Sequence, residues 1–157
     1  MSKYCLNCGS ILQEVNELDD TYLLCNKCGY RLYNTPTVSI ICLVEYNNKY
    51  LICRQPHVNN KYSIISGYLK ENETLEECVK REVKEEIGLD VIYVKYISSY
   101  LYPKKNLIMP GFLCSISTDE ILTSDEIESY EFVDAETAKE YLKETVVGIK
   151  LLNDILK

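Results

Sequence analysis

Three glutamates stand close together in the stretch REVKEE, residues 81–86, at Glu82, Glu85 and Glu86. Carboxylates spaced i, i+3 and i+4 share one side of a helix, where they can converge on a cation. At 100° per residue, Leu75, Val79, Val83 and Ile87 form an apolar stripe, with Cys78 on its flank. Glu82 and Glu86 fall within about 20° of Leu75 and Val79, on the side that must face the protein body. Glu85 lies at that side's edge, and Lys80, Lys84 and Glu77 point to solvent. Carboxylates are seldom buried unless they are paired or hold a metal. A solvated charge run accounts for Lys80 and Lys84 but poorly for Glu82 and Glu86, and the wheel alone leaves a site and a charged face both open.

A second set of candidate ligands lies at the other end of the chain. Cys5-x2-Cys8 and Cys25-x2-Cys28 are two pairs 16 residues apart, the spacing of a four-cysteine zinc ribbon. Gly9 and Gly29 follow each pair at the turns. Four thiolates make a closed tetrahedron, so this zinc is expected to be structural. The remaining four cysteines, Cys42, Cys53, Cys78 and Cys114, sit in apolar runs and read as core fillers.

The elements that must position these groups can be read along the chain. Thr74 and Glu77 form a capping box, and Gly88 is placed for a left-handed C-terminal cap, so a helix is predicted over about 75–87. The ribbon is predicted over 1–33. Its hairpin, within ILQEVNELDDTYLLC, turns at Glu17 to Asp20, and RLYNTPT follows as a linker. Metal binding is expected to supply its folding energy, because so short a module builds little core. A second domain is predicted over 37–157. Strands are expected at TVSIICLVEY, YLICR, YSIISG, DVIYVKYISSYLY, LIMPGFLCSIS and IESYEFVD. NNK is a turn, and Pro103 to Asn106 joins the two long strands. QPHVNN is a loop whose lone His57 reads as a surface residue. AETAKEYL and VVGIKLLNDILK read as helices. Strands and helices mix without regular alternation, which favours an α+β fold over a doubly wound sheet.

Composition sets outer bounds. The chain has 157 residues, 46% hydrophobic and 26% charged, enough for one good core plus a small appendage. A net charge of −7 argues against a nonspecific nucleic-acid or membrane-surface binder. It leaves room for an anionic small substrate bridged by a divalent cation. No apolar run approaches membrane-spanning length, and the N-terminal MSKYCLNCGS lacks the apolar core of a signal peptide, so a cytoplasmic location is expected.

Gly67, Glu73, Arg81-Glu82-Val83-x-Glu85-Glu86-x-Gly88-Leu89 resembles the Nudix box at all nine specified positions over 23 residues. The resemblance extends over about 37–157. It implies an α/β/α sandwich and hydrolysis of a nucleoside diphosphate linked to another group, with magnesium or manganese. Glu82, Glu85 and Glu86 would then hold the cation, with Gly67 letting the backbone approach it. Arg81 would orient a box carboxylate, with Glu73 as its expected partner. Glu85 is the first candidate for general base. Glu126, whose position resembles a downstream glutamate of related enzymes, is the second.

A ribbon joined to such a domain is similar to NADH pyrophosphatases and to relatives acting on FAD or ADP-ribose. Two departures stand out: the further domain that those enzymes carry before the ribbon is not expected here, and SSYLYPKKNLIMPGF replaces their Ser-Gln-Pro-Trp-Pro-Phe-Pro-x-Ser motif. Arg54 is a candidate phosphate contact, and Tyr68 and Tyr102 are candidates for stacking a base. A small nucleotide substrate is expected, with no membrane partner and no nucleic-acid partner, and the resemblance is compatible with a homodimer. The alternatives are an oxidised nucleoside triphosphate of the 8-oxo-dGTP type as substrate, or a non-catalytic sensor or nucleic-acid-binding protein.

Overall fold

The computed structural model describes residues 3–17, 20–55 and 62–157. The chain divides into two compact units, Met1–Pro36 and Thr37–Lys157. The QPHVNN loop with His57, apart from Gln55, and the middle of the 17–20 turn lie outside the described residues.

The first unit is built from two equivalent knuckles and a small sheet. In each knuckle a glycine N–H donates to a cysteine carbonyl four residues back: Gly9 to Cys5 at 2.9 Å and Gly29 to Cys25 at 2.8 Å. Both glycines have positive φ, 71° and 75°, the left-handed region that a side chain would strain. Strands β1 (Gln13–Glu17), β2 (Asp20–Leu24) and β3 (Arg31–Tyr33) form an antiparallel sheet in that order. The third strand corrects the sequence reading, which placed residues 31–33 at the start of the linker. Three residues carry too little pattern to announce a strand. What holds them is tertiary: Tyr33 packs on Tyr22 with ring centroids 5.3 Å apart, and the Arg31 guanidinium lies over the Tyr22 ring.

The second unit is a mixed sheet covered on both faces. Its strands are β4 (Thr37–Tyr46), β5 (Lys49–Arg54), β6 (Tyr62–Ser63), β7 (Ile65–Tyr68), β8 (Val91–Tyr102), β9 (Leu107–Ile116) and β10 (Ser129–Val133). The main path runs β10-β5-β4-β9-β8, with β7 on β4 and β6 on β5. The β4–β9 pair is parallel; the other pairs are antiparallel. The helices are α1 (Leu75–Ile87), α2 (Ala135–Leu142) and α3 (Gly148–Ile155).

The alternation of side chains along β4 explains why both faces need helices. Ile40, Cys42 and Val44 join a core with Cys78, Val79, Val83 and Ile87 of α1. Ile41 and Leu43 join a second core with Ala138 and Leu142 of α2 and Leu151 and Leu152 of α3. Cys42, Cys53, Cys78 and Cys114 all lie in the first core as buried fillers. The result is an α/β/α sandwich. YSIISG is predicted as one strand ending at Gly67, but it divides at Ile64 and runs on to Tyr68. The chain changes partner there, from β5 to β4, and Ile64 and Ile65 pack into opposite cores. Among the described residues no helix is long and apolar enough to cross a membrane.

Candidate active site

Helix α1 begins and ends on its predicted caps. Thr74 Oγ1 accepts from the Glu77 N–H at 3.2 Å, and the Thr74 N–H donates to Glu77 Oε2 at 2.8 Å. Gly88 adopts φ 74° and donates to the Lys84 carbonyl. These caps and the buried stripe of Val79, Val83 and Ile87 fix the rotation of the helix, so Glu82 and Glu86 face the sheet.

Arg81 gathers the carboxylates. Its Nε and Nη2 donate to the two oxygens of Glu73 at 2.6 and 3.0 Å, a bidentate pair. Its Nη1 donates to Glu82 Oε1 at 2.5 Å and to Glu85 Oε2 at 3.0 Å. Nη2 also reaches the Tyr68 carbonyl at 3.1 Å, tying the helix to β7. The guanidinium pulls the Glu73 carboxyl down to about 2, aided by the Lys70 N–H. Gly67 has a steric role in this arrangement: a Cβ there would overlap the Glu82 carboxyl, which lies directly against the glycine.

Glu86 is the most enclosed member, only 4% exposed. Burial pushes its carboxyl up to about 8, and the charges of Glu82, Glu126 and Glu85 add to the effect. Glu126 reaches this neighbourhood because the chain after β9 is pinned to the end of α1. The Leu122 N–H donates to the Ile87 carbonyl at 3.1 Å, and the Ser124 N–H to the Glu86 carbonyl at 2.9 Å. Ile127 then anchors in the core below. Three carboxylates thus meet around a buried fourth whose charge is disfavoured. An all-oxygen donor set of this kind suits a hard divalent cation.

The site is a cleft of about 540 Å³ lined by Glu82, Glu85, Glu126, Arg81 and Lys70, among others. A neighbouring lobe of about 480 Å³ has a mixed lining, with an apolar wall that includes Ile41, Ile64, Met109 and Val147 and a polar rim that includes Lys104, Lys105 and Glu144; it is called the apolar lobe for that wall. Ser66, Tyr102, Lys105 and Met109 border both. Tyr68 and Tyr102 therefore stand at the cleft, as does Glu126. Arg54 does not line either lobe. Its guanidinium lies over Tyr62 and donates to the Tyr62 hydroxyl at 2.8 Å, while the opposite neighbour of that ring, Tyr141, is stacked at 3.8 Å. The cation at the end of β5 thus holds a pair of stacked rings, of which Tyr62 lines the neighbouring lobe.

Several residues enter the site without having been singled out from sequence. Lys70 donates to Glu85 Oε1 at 3.3 Å. Lys104 and Lys105 sit on the short 3-10 turn Pro103–Lys105 between β8 and β9 and line the apolar lobe. Gln55 is buried between that lobe and Glu86. The pair of lysines in YPKKN is the one signal that could have found its members; Gln55 has none.

The four cysteines of the first unit form a separate cluster. All four Sγ atoms lie within 4.8 Å of one another. Cys5 and Cys28 approach to 3.6 Å and Cys8 and Cys25 to 3.5 Å. Zinc–sulfur bonds of about 2.3 Å in a tetrahedron require sulfurs about 3.8 Å apart, so the cage has the right size for zinc.

The model of the NUDIX domain family matches residues 34–152. Proteins named NAD-capped RNA hydrolase NudC are similar in sequence. The one from Pseudomonas aeruginosa is 33% identical over 133 residues, covering 83% of this chain and 47% of its own length. That from Pseudomonas fluorescens is 31% identical over 132 residues, with the same two shares. The chain thus spans about half the length of the curated relatives it matches. Among solved structures, a NUDIX hydrolase from Nitrosomonas europaea superposes with a TM-score of 0.72 at 23% identity, over 86% of this chain and 79% of that one. An ADP-ribose pyrophosphatase from Streptococcus suis gives 0.62 at 20% identity, over 78% and 93%. These structural likenesses concern the fold. With all nine box positions filled, the sandwich in place and the family match running from residue 34 to 152, the chain belongs to the NUDIX domain family.

Proposed function

We propose that this protein is a pyrophosphohydrolase that splits the diphosphate of a dinucleotide or nucleoside-diphosphate derivative, of the NADH, FAD or ADP-ribose class. The observation that carries the reading is the carboxylate cluster, organised by one arginine, opening beside an apolar lobe of nucleoside size. Charge at one end and apolar surface at the other match a ligand with a diphosphate and a ring.

In this reading Glu82, Glu85 and Glu86 hold magnesium or manganese. When bound, the cation would offset phosphate charge and acidify the attacking water. Arg81 keeps Glu82 and Glu85 in register, and Glu73 keeps Arg81 in place. Lys70 and Lys105 offer positive charge to the diphosphate oxygens at either side of the cleft. Water adds to one phosphorus, the bridging P–O bond breaks, and two phosphomonoesters leave. Glu85 is the first candidate to take the water's proton and Glu126 the second, both being in the cleft. Tyr68 and Tyr102 are placed to pack against a base. Arg54 is assigned no phosphate contact in this reading, because it lies outside the lining of the cleft and donates to the Tyr62 hydroxyl. The cysteine cluster is assigned a structural zinc on the size of its cage and its lack of an open position.

The name of the similar NudC proteins puts an RNA carrying a dinucleotide end among the substrates to test, against the expectation from charge that nucleic acid is no partner. Product chromatography should compare NADH, FAD, ADP-ribose, NAD-capped RNA and 8-oxo-dGTP, each with magnesium and with manganese. Two monophosphate products from one of the first four support the reading. Cleavage of 8-oxo-dGTP alone overturns the substrate class, and no cleavage of any compound overturns the activity.

A further inference from the structure

Only three polar or charged side chains are buried among the described residues: Ser39, Gln55 and Glu86. Two of them are bonded to each other. Gln55 follows β5 and is 6% exposed. Its Nε2 donates to Glu86 Oε2 at 3.4 Å, and its Oε1 accepts from Ser63 Oγ at 3.1 Å. With its oxygen toward the Ser63 hydroxyl, the amide presents its NH₂ end to the carboxylate and both ends are paired; a flipped amide would set its oxygen against an ionised Glu86. Gln55 also lines the apolar lobe, while Glu86 belongs to the carboxylate cluster. An amide nitrogen has two N–H donors, so one can hold Glu86 while the other serves an occupant of the lobe.

Resting on the reading of the cleft as a cation-holding hydrolytic site, we propose that Gln55 is a positioning residue. It holds one oxygen of Glu86 so that the other faces the cation, and it couples that geometry to the filling of the apolar lobe. A buried carboxylate ringed by Glu82, Glu85 and Glu126 is repelled from the cluster it must serve. A neutral donor behind it restrains its rotation without adding charge. Groups that orient a metal ligand in this way commonly change metal affinity by about 10–100-fold when removed.

The test is Mn²⁺ binding to the full-length protein, followed by electron paramagnetic resonance without any turnover. Gln55→Met keeps the length of the side chain and removes both donors. It should weaken Mn²⁺ binding at least tenfold. Saturating adenosine, a lobe probe with no phosphate to touch the ion, should shift Mn²⁺ affinity in the unaltered protein and fail to do so in Gln55→Met, since coupling between two sites is reciprocal and Gln55 is the group that touches both. Ser63→Ala, which unlocks the amide while leaving Gln55 in place, should lose the adenosine effect and retain most of the Mn²⁺ affinity. It also serves if Gln55→Met does not fold. Equal Mn²⁺ affinity in Gln55→Met and the unaltered protein overturns the positioning role. An adenosine effect that survives in Ser63→Ala, or is absent from the unaltered protein, overturns the coupling. Neither outcome depends on the hydrolase assignment: failure of every substrate to turn over would remove that assignment while leaving the Mn²⁺ measurements intact.

Discussion

The cysteine cage and the carboxylate cleft arrange candidate cation ligands in opposite ways. In the cage the ligands converge on one another, with sulfurs 3.5–3.6 Å apart in pairs and within 4.8 Å overall. In the cleft an arginine stands between the ligands and binds Glu73, Glu82 and Glu85 separately. The cage is closed and made of soft donors, which suits permanent occupancy by zinc. The cleft is open, made of hard oxygens, and bordered by lysines and an apolar lobe, which suits a cation exchanged with a substrate. The difference teaches where each unit finds its stability. The first unit has little beyond Cys5, Leu12, Tyr22 and Cys25 to bury. The second has two full cores and can tolerate mutually repelling charge.

The comparison breaks most visibly at the cage. Cys25→Ser, or zinc chelation, should unfold residues 3–33 while the second unit persists, because metal binding in such modules contributes roughly 10 kcal/mol or more of folding energy. Limited proteolysis read by mass spectrometry tests this: unchanged resistance of the N-terminal segment would show that the ribbon stands without its ion. At the cleft the same kind of change should cost function and spare the fold. Glu85→Gln is expected to lower kcat by about 10²–10⁴-fold with an unchanged melting temperature. The equivalent Glu126→Gln variant shows which of the two takes the proton, by the larger loss.

Gly67→Ala probes the packing of the cleft itself. The new methyl must displace the Glu82 carboxyl from its seat, at a cost of about 1–3 kcal/mol, and calorimetry together with Mn²⁺ affinity should both register it. A variant with the stability and metal affinity of the original would show that Glu82 needs no such seat.

The most gradual effect is the pH dependence of the protein without divalent cations in the cleft. Glu86 is raised to about 8 in the folded state from an ordinary 4.5. Between those values the folded protein binds more protons than the unfolded chain. Stability should therefore fall as pH rises from about 4.5 to about 8, by at most about 1.4 kcal/mol per pH unit. Glu86→Gln should flatten that slope and Mg²⁺ should oppose it. Glu73, held down to about 2, works the other way: its stabilisation is complete above 4.5 and is lost as pH falls towards 2. An unaltered slope in Glu86→Gln would mean that the buried carboxyl is not what the cation must satisfy.

Much of this was legible in the chain. The spacing of the cysteines, the capping box at Thr74 and Glu77, the apolar stripe of α1 and the positions of Glu82, Glu85 and Glu86 on it all follow from residues within a few positions of one another. Local geometry repeats every 3.6 residues in a helix and every two in a strand, so short-range pattern is enough to set which face each side chain takes. The long strands β4, β8 and β9 were legible for the same reason. The third ribbon strand was not, because three residues hold no period.

What only the tertiary structure decided is who meets whom across the sheet. Glu126 lies 40 positions beyond Glu86 and reaches the cleft through hydrogen bonds from Leu122 and Ser124 to the end of α1. Arg54, one residue before Gln55, turns to Tyr62, whereas Gln55 turns inward to Glu86. Adjacent residues at the end of a strand point to opposite faces, and which face holds the chemistry depends on the register with β4 and β6 and on the helix packed above. The sequence by itself determined the ligands and the local faces that carry them. The fold decided which distant groups surround those ligands, because strand register and sheet order are set by contacts that local periodicity does not encode.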